Sequence, residues 1–319
     1  MTIHTRPEEC LEQLSFEETL IRLYGREGKD RAHTRCLEAA AGFRQAFGYP
    51  AQALFSAPGR TELGGNHTDH QRGCVLAAAV DLDILAAAAV TGSGAIRVLS
   101  QGYPMTEVSL RELTPQAGEK NTSAALIRGV ASRMQEMGCD LRGRGLDVYM
   151  TSTVPKGSGL SSSAAFEVLM GTMLNELFWA GHCTPVELAQ IGQYAENMFF
   201  GKPCGLMDQT ASSVGGVVAI DFADTTHPVV ERLDGGDVLE SLTVRNVKTG
   251  QRQVISAGEG QDMLGLFGFT GHLPDTELLA GQLELDRGYI PTDEAMATAI
   301  PGVFAVSYTH LTLPTNSRV

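Results

Sequence analysis

The chain has 319 residues, with 37 acidic and 24 basic side chains and a formal net charge of −13 at pH 7. This acidic balance argues against nucleic acid or an anionic membrane as a partner, because either would attract a basic surface. With 43% hydrophobic and 19% charged residues, the composition is that of an ordinary globular chain long enough for more than one structural unit.

Periodicity predicts the first elements of the chain. Residues 1–9 lack the apolar stretch of a secretory signal, so we expect no targeting segment. Helical spacing predicts an early helix from Arg31 to Phe47 and another from Ser123 to Met137. The most apolar run, Val75 to Val90, is rich in alanine and contains two aspartates. It therefore indicates paired core strands rather than a membrane span.

A strand, a glycine loop and a helix are predicted after residue 145. Apolar and polar side chains alternate from Leu146 to Val154, and apolar residues recur at helical spacing from Phe166 to Phe178. The loop between them reads Pro155-Lys156-Gly157-Ser158-Gly159-Leu160-Ser161-Ser162-Ser163-Ala164-Ala165. Glycines let the backbone approach a polyphosphate, and the start of the helix offers free N–H groups to it. The loop predicts a phosphate site, with an ordinary serine-capped helix as the alternative, and its spacing excludes a Walker loop.

Local signals also organise the next segment. The run Thr184-Pro185-Val186-Glu187 combines a capping hydroxyl, a first-turn proline and a glutamate three residues after the cap, so it predicts a helix start. This helix is expected to carry Glu196 and to end near Gly201. A new turn or helix is predicted at Asp208, followed by a tight turn and a strand from Val214 to Phe222.

Six cysteines are scattered along the chain without a Cys-x-x-Cys spacing. In a chain of this size, that pattern favours reduced thiols and a cytoplasmic location over a disulfide framework or structural zinc. Cys204 is interpreted as a small buried thiol rather than a nucleophile.

Three segments resemble the GHMP small-molecule kinases, and galactokinases in particular. The glycine loop resembles the second motif of that family, Pro-x3-Gly-Leu-Ser-Ser-Ser-Ala. The segment Ala57-Pro58-Gly59-Arg60-Thr61-Glu62-Leu63-Gly64-Gly65-Asn66-His67-Thr68-Asp69-His70 resembles the galactokinase signature. The segment from Ala195 to Gln209 resembles the part of the family that carries the catalytic aspartate. The three segments occur in the family's order, and the resemblance extends to about Asp234.

This resemblance implies an α+β fold over residues 1–234, namely a GHMP kinase N-terminal domain (ribosomal protein S5 domain 2-like) with a truncated C-terminal domain. It implies a transferase that moves the γ-phosphate of ATP to the anomeric hydroxyl of galactose or a related hexose. Asp208 would orient or deprotonate that hydroxyl, and Arg60 would neutralise developing charge and keep Asp208 ionised. The structural alternative is a salt bridge between a strand and a helix.

The resemblance also implies sites for ATP and Mg²⁺. The residues implied in ATP binding are Gly157, Ser158, Gly159, Leu160, Ser161, Ser162 and Ser163. The implied metal ligands are Ser163 and Glu196, and such a sparse set suits magnesium, which leaves most of its shell to phosphate and water. Taken singly, a helix cap for Ser163 and a solvated helix residue for Glu196 are the alternatives.

Sugar binding is implied for a group that stands where galactokinases carry Glu-His-x-Asp, namely Asn66, His67, Thr68 and Asp69. A metal site built from His67, Asp69 and His70 is an alternative, disfavoured because ligands so crowded rarely close a shell. The signature departs from the family at four positions, with Glu62 for an asparagine, Gly64 for an isoleucine, Asn66 for an acidic residue and His70 for a tyrosine. Galactose is therefore expected, while a related hexose or an amino sugar stays open.

Residues 235–306 resemble a different family, the thioredoxin reductases, over the C-terminal part of an FAD/NAD(P)-binding fold. The resemblance rests on Gly271-His272-Leu273-Pro274-Asp275-Thr276-Glu277 and Gly288-Tyr289-Ile290-Pro291-Thr292-Asp293-Glu294. The strand Val303-Phe304-Ala305 does not continue into the Gly-Asp that contacts flavin in that family, so we expect no FAD. Residues 307–319 fit neither family and are interpreted as a linker-like tail of artefactual origin in a chimeric sequence.

Because the third glycine-rich motif of the kinases has no counterpart after residue 234, we expect this chain to be poorly active or inactive. Two further functions stay open, a non-catalytic protein that binds sugar and ATP, and a fragment of a flavin-dependent disulfide reductase. The presence of Arg60 and Asp208 disfavours the first, and the lack of Cys-x-x-Cys and of an N-terminal Gly-x-Gly-x-x-Gly disfavours the second. The expected partners are a small sugar and ATP.

Overall fold

The computed structural model describes residues 2–4, 14–65, 68–155, 158–224, 226–233, 241–245, 252–256, 281, 283, 285, 290–293 and 297–304. The chain divides into two compact units, Met1–Leu266 and Phe267–Val319. The first unit contains all the helices described below.

A mixed sheet of eight strands forms the centre of the first unit. Its strands are β1 Thr2–His4, β2 Ala53–Gly64, β3 Cys74–Thr91, β4 Ala95–Ser100, β5 Thr106–Ser109, β6 Gly145–Ser152, β7 Val217–Asp221 and β8 Val229–Leu233. Their order is β1-β2-β3-β6-β4-β5, with β7 paired to the first part of β3 and β8 paired to β7. Strands β4 and β6 are parallel and the other pairs are antiparallel. A separate hairpin joins β9 Ser241–Arg245 to β10 Arg252–Ser256.

The described part of this unit contains five α-helices, besides a short 3-10 helix and a π-helical turn. The α-helices are α1 Leu14–Phe47, α2 Ser123–Glu136, α3 Ser162–Trp179, α4 Pro185–Ala195 and α5 Met207–Val214. Helix α1 begins well before the predicted Arg31 and is broken at Gly25, whose φ of 69° lies in the left-handed region. The helices predicted near Ser123, after the serines, at Thr184 and at Asp208 are confirmed.

The apolar run that predicted paired strands is one continuous strand. Strand β3 has 18 residues, and it pairs with β2 along one edge and with β7 and then β6 along the other. The two aspartates do not interrupt it, because Asp83 is buried against polar partners that include Arg35. Because β3 changes partners along its length, its backbone hydrogen-bonds to β7 in its first part and to β6 in its second part.

The core lies on both faces of the sheet, because side chains alternate along β3. Leu85, Ala87 and Ala89 pack with Phe43 beneath α1. Residues of the opposite parity pack with α2, α3 and α4 on the other face. A smaller cluster around Met207 and Phe222 buries α5 against β3, β7 and the segment before α5. The sheet thus fixes the start of α3 and the start of α5 against the same end of β2.

Little of the second unit is described. An isolated antiparallel bridge joins Ala297 to Phe304, and Phe304 is exposed. Most of the residues on which the reductase resemblance rests lie outside the described ones, so that prediction stays a prediction. Within the parts of the chain that the structure describes, no helix is both long and apolar enough to cross a membrane.

Candidate functional site

Arg60 and Asp208, which are 148 residues apart, meet in the candidate site. Arg60 lies on β2, and Asp208 lies in the first turn of α5. Arg60 Nε donates to Asp208 Oδ1 at 2.8 Å and Nη2 lies 2.7 Å from the same oxygen. The Arg60 side chain is 7% exposed and that of Asp208 is 29% exposed. The guanidinium is therefore buried behind a carboxylate that solvent or a ligand can reach.

The glycine loop is attached to this pair. Arg60 Nη1 donates to the carbonyl oxygen of Gly159 at 2.8 Å, and the hydroxyl of Ser161 donates to Asp208 Oδ2. Ser161 has a φ of 54°, a left-handed conformation that costs a residue with a Cβ about 1 kcal/mol or more. Each carboxylate oxygen of Asp208 thus has a hydrogen-bond donor. One of these donors, Ser161, has the left-handed backbone conformation.

A bulge in β2 explains why the strand can come so close to the loop. The pairing of β2 with β3 shifts register between Pro58 and Arg60. A Cβ on the intervening Gly59 would lie 2.9 Å from the carbonyl oxygen of Leu160, and that same oxygen accepts the Arg60 backbone N–H at 3.1 Å. Only glycine fits this contact without movement of the backbone.

The start of α3 leaves backbone donors available. Ser161 is the N-cap residue, and its side chain makes no capping bond to the helix. Ser158 Oγ instead donates to the carbonyl of Pro155 at 2.8 Å and accepts the Leu160 N–H at 3.4 Å, so the hydroxyls order the loop itself. A helix N-terminus with unused N–H groups is suited to an anion. Gly157, the first residue of the predicted ATP loop, lies outside the described residues.

The two predicted metal ligands also meet. Ser163 lies in the first turn of α3, and Ser163 Oγ donates to Glu196 Oε1 at 3.3 Å. Glu196 begins a π-helical turn, Glu196–Phe200, where the sequence predicts a continuing helix. Gly201, with a φ of 85°, closes this turn by donating its N–H to the Glu196 carbonyl at 3.0 Å. The π turn widens the helix where its buried glutamate turns towards α3.

Three residues that the sequence analysis did not identify surround Glu196. Lys202 Nζ lies 3.1 Å from Glu196 Oε1. Gln209 Nε2 donates to Glu196 Oε2 at 3.0 Å and to Glu167 Oε2 at 2.9 Å. Burial, together with the nearby charge of Glu196, raises the pKa of Glu167 well above its ordinary value. An acid on an otherwise apolar stripe of α3, four residues after Ser163, is the sequence signal for Glu167.

Burial likewise raises the pKa of the Cys204 thiol, and Glu196 raises it further. A thiol kept protonated in this way is a poor nucleophile. This agrees with the interpretation that Cys204 is not a nucleophile, although the residue is half-buried rather than buried.

Among the predicted sugar-binding residues, Thr68 and Asp69 are described, whereas Asn66 and His67 are not. Asp69 is 5% exposed, and its Oδ2 accepts the backbone N–H of Met207 at 3.0 Å, at the start of α5. A Cβ on Gly205 would lie 1.7 Å from that same oxygen. Asp69 therefore anchors the segment that carries Asp208, whatever else it contacts. The metal site considered for His67, Asp69 and His70 cannot be built from described side chains.

Two family models match the chain. Residues 41–90 match the galactokinase galactose-binding signature, and residues 125–216 match the GHMP kinases N terminal domain. The first range contains Arg60, Thr68 and Asp69. The second contains the glycine loop, Glu196 and Asp208.

Two curated relatives of this chain are galactokinases. A galactokinase of Streptomyces coelicolor is 34% identical over 227 residues, which are 70% of this chain and 58% of the relative. A galactokinase of Enterococcus faecalis is 40% identical over 176 residues, which are 54% of this chain and 44% of the relative. The chain thus spans about half the length of the curated relatives it matches.

A solved structure shares the fold. The galactokinase of Lactococcus lactis complexed with galactose has a TM-score of 0.55 and 26% identity, covering 62% of this chain and 52% of that one. The α+β fold of a GHMP kinase N-terminal domain, expected from the sequence, is confirmed. No comparison supports the reductase fragment, which stays a prediction.

Proposed function

We propose that this chain is a galactokinase-type sugar kinase, of the type that transfers the γ-phosphate of ATP to the anomeric hydroxyl of galactose or a related hexose, with its own activity impaired because residues after 234 carry no third kinase motif. The observation that carries the proposal is the contact of Asp208 with Arg60 and Ser161 beside the open N-terminus of α3. It supports the proposal because the Asp208 carboxylate lies beside the glycine loop and beside Arg60, a residue of the segment that matches a galactose-binding signature.

Asp208 is the residue we assign to the sugar hydroxyl. A partly exposed carboxylate can accept a hydrogen bond from that hydroxyl and take its proton as the new O–P bond forms. The bond between the γ-phosphorus and the ADP oxygen breaks with its electron pair on ADP. Arg60, buried behind Asp208, compensates its charge and fixes its direction.

ATP is assigned to the glycine loop and α3. The N–H groups of the first turn of α3, with Ser162 and Ser163, would receive phosphate oxygens, and Gly159 keeps the loop free of side-chain bulk. Leu160 and Ser161 are assigned backbone N–H contacts with ATP, because the Leu160 carbonyl already accepts the Arg60 N–H and the Ser161 hydroxyl already donates to Asp208.

The donors at Ser163 and Glu196 fit Mg²⁺. One hydroxyl and one carboxylate oxygen lie 3.3 Å apart, which is the hard, sparse donor set that magnesium prefers. Among the described residues no group of three His, Cys, Asp or Glu side chains could form a complete protein shell, so nucleotide and water would supply the rest. When bound, Mg²⁺ neutralises phosphate charge.

Sugar binding is assigned to Asn66, His67, Thr68 and Asp69. The match to the galactose-binding signature supports this assignment, and the buried Asp69 links the sugar loop to the start of α5. Because Asn66 replaces an acidic residue, the proposed substrate class comprises galactose and related hexoses.

For domain organisation we propose the kinase region over 1–234, the reductase-like fragment without bound FAD over 235–306 and the linker-like tail over 307–319. We also propose a cytoplasmic location. Five described cysteines are unpaired thiols, Cys36, Cys74, Cys139, Cys183 and Cys204, as expected in a reducing compartment.

Phosphoryl transfer to galactose, followed by ³¹P NMR, tests the proposed function and gives the first prediction. The chain is assayed alone and joined at residue 234 to the C-terminal half of a galactokinase. We expect ATP-dependent sugar 1-phosphate from the joined protein, and about a hundredfold or greater loss of turnover in Asp208→Asn.

Circular dichroism of the same Asp208→Asn protein serves as the folding control. Turnover unchanged by Asp208→Asn would remove the assignment of this residue. Binding of sugar and ATP without turnover in the joined protein would favour the non-catalytic alternative.

A further inference from the structure

Gln209 lies between two buried glutamates, and its environment is unusual. The side chain is 0% exposed, and its one amide nitrogen donates to Glu167 Oε2 at 2.9 Å and to Glu196 Oε2 at 3.0 Å. The same nitrogen lies 3.7 Å from Cys204 Sγ, a longer contact, so its shortest hydrogen bonds are to carboxylates from two different elements.

The two oxygens of Glu196 have different partners. Oε2 accepts from Gln209, whereas Oε1 accepts from Ser163 at 3.3 Å and from Lys202 at 3.1 Å. With Oε2 held from the buried side, rotation of the carboxylate is restrained and Oε1 is directed towards Ser163. Gln209 therefore holds the oxygen opposite to the one that Ser163 and Lys202 contact.

Two buried glutamates bridged by one uncharged amide are not an arrangement that stability alone would favour. Gln209 carries no charge, so it neutralises neither carboxylate, and the other oxygens, Glu167 Oε1 and Gln209 Oε1, are buried without a hydrogen-bond partner among the described residues. Unsatisfied buried acceptors are uncommon in native proteins and concentrate at functional sites.

Packing shows that the position of the bridge is closely defined. A Cβ on Gly192 of α4 would lie 3.1 Å from Glu167 Cβ and 3.2 Å from Gln209 Cγ. The absent side chain at Gly192 lets α3, α4 and α5 approach closely enough for one amide to reach both acids. Since Gln209 follows Asp208 directly, the bridge also joins Glu196 to the turn that bears the proposed catalytic carboxylate.

We propose that Gln209 is a positioning residue that holds the carboxylate of Glu196 in the orientation needed to bind a divalent cation together with Ser163. The inference rests on the metal assignment made under the proposed function. Residues that orient a metal ligand from behind commonly change metal affinity by about 10- to 100-fold when removed.

The test measures metal binding by the full 319-residue chain rather than turnover. Free Mn²⁺ is followed by electron paramagnetic resonance in the presence of the non-hydrolysable nucleotide AMP-PNP, and the Mn²⁺ that AMP-PNP binds without protein is subtracted. Gln209→Met keeps the length of the side chain and removes both donors. We expect it to weaken Mn²⁺ binding about tenfold, while binding of AMP-PNP in EDTA changes less than about twofold.

A matched variant controls for the loss of any glutamine hydrogen bond. Gln190 also lies in the α3–α5 layer, on α4, and its Nε2 donates to the carbonyl of Thr226 at 2.7 Å on the exposed surface. Gln190→Met is expected to leave Mn²⁺ binding unchanged. If Gln209→Met does not fold, Gln209→Asn replaces it, since an amide one methylene shorter cannot span both glutamates and should weaken Mn²⁺ binding similarly.

The outcomes separate this inference from the proposed function. If Glu196→Gln and Ser163→Ala weaken Mn²⁺ binding but the Gln209 variants do not, the positioning role is wrong and the metal assignment stands. If the parent chain binds no Mn²⁺ with nucleotide, or all these variants match it, the metal assignment fails and this inference with it. Equal loss of nucleotide binding with and without metal would show a purely structural role for Gln209.

Discussion

Buried acids lie on both faces of the sheet, and the two faces neutralise them differently. Beneath α1, Asp83 receives Arg35 at 2.7 Å, Ser56 Oγ at 2.6 Å and the hydroxyl of Tyr24. Asp147 is held in the same way by Arg97 and the hydroxyl of Tyr49. On the opposite face, Glu167 and Glu196 share the amide of Gln209, and the cation near Glu196 is the largely exposed Lys202.

We infer from this difference that the first two acids stabilise the fold, whereas Glu167 and Glu196 belong to the candidate functional site. A buried carboxylate paired with arginine and hydroxyl donors has its charge and its lone pairs satisfied, and at Asp83 two of these donors, Arg35 and Tyr24, fix α1 to the sheet. Glu167 and Glu196 have no arginine partner among the described residues, and Glu167 Oε1 is buried there without a hydrogen-bond donor, as is Glu231 Oε1 on β8. A divalent cation would complete the missing neutralisation at Glu196.

The largest effect on stability is expected from breaking the first kind of site. Asp83→Ala leaves Arg35 buried without its counter-charge, and the loss of one partner of a buried ion pair costs about 3–5 kcal/mol. Urea unfolding followed by circular dichroism measures the change. Asp140→Ala, which removes an exposed ion pair with Arg142, is the matched control and should show no measurable change.

A fall in stability for Asp83→Ala no larger than that for the control would mean that α1 does not depend on this pair. The comparison between the two faces would then lose its meaning, since neither group of acids would contribute to the fold.

The sequence predicted those features that rest on local signals. The helix start at Thr184 shows the predicted capping box, because the cap, the proline and Glu187 are neighbours whose interaction needs no tertiary contact. The continuity of β3 was missed, since Asp81 and Asp83 interrupt the apolar run in sequence and the partners that bury Asp83 come from distant segments. The meeting of Arg60 with Asp208 was available only through the family resemblance.

Other parts of the site had no usable sequence signal. The Gln209 bridge depends on the approach of three helices at Gly192, which no spacing rule describes. The π turn at Glu196 continues a helical pattern, so its sequence does not distinguish it from α4. In both cases tertiary packing decides the local structure.

An effect of intermediate size on stability is expected for Glu167→Gln. This variant should raise the free energy of unfolding, whereas Asp83→Ala should lower it. Burial and Glu196 raise the pKa of Glu167, with Lys202 opposing and Asp208 adding to the shift, so folding costs free energy once the unfolded chain ionises this group above about pH 4.5. Glutamine stays neutral and keeps an acceptor for Gln209. The variant should therefore gain stability relative to the parent as pH rises, by about 1.4 kcal/mol per unit until the folded pKa is passed.

Urea unfolding at a series of pH values from 4 to 8 measures that gain. The same series on Gln190→Met controls for the substitution of a polar side chain in this layer. A constant difference between Glu167→Gln and the parent over this range would show that Glu167 is ionised in the folded protein.

The smallest effect is expected for Tyr49→Phe, on the well-neutralised face. The ring of Tyr49 packs edge-on against Phe43 at 5.4 Å, and phenylalanine preserves this contact while losing the hydroxyl that donates to Asp147. Because Arg97 still neutralises Asp147, removal of one hydrogen bond should cost only about 1 kcal/mol at pH 7.

The pH dependence of stability in Tyr49→Phe gives a sharper test than the size of the stability loss at pH 7. Burial, with the hydrogen bond to Asp147, raises the pKa of Tyr49 to about 12 from 10.0, so the folded state favours the protonated phenol. This contribution is complete below pH 10 and is lost as pH rises through about 12, because the unfolded chain ionises first. The parent should therefore lose stability faster than Tyr49→Phe over this interval. Tyr24 is present in both proteins, so its ionisation does not contribute to the difference.

Tyr103→Phe, at a tyrosine that is 52% exposed, is the control and should follow the parent. If Tyr49→Phe also falls in parallel with the parent, the phenol does not share in neutralising Asp147, and the arginine alone distinguishes this face from the site.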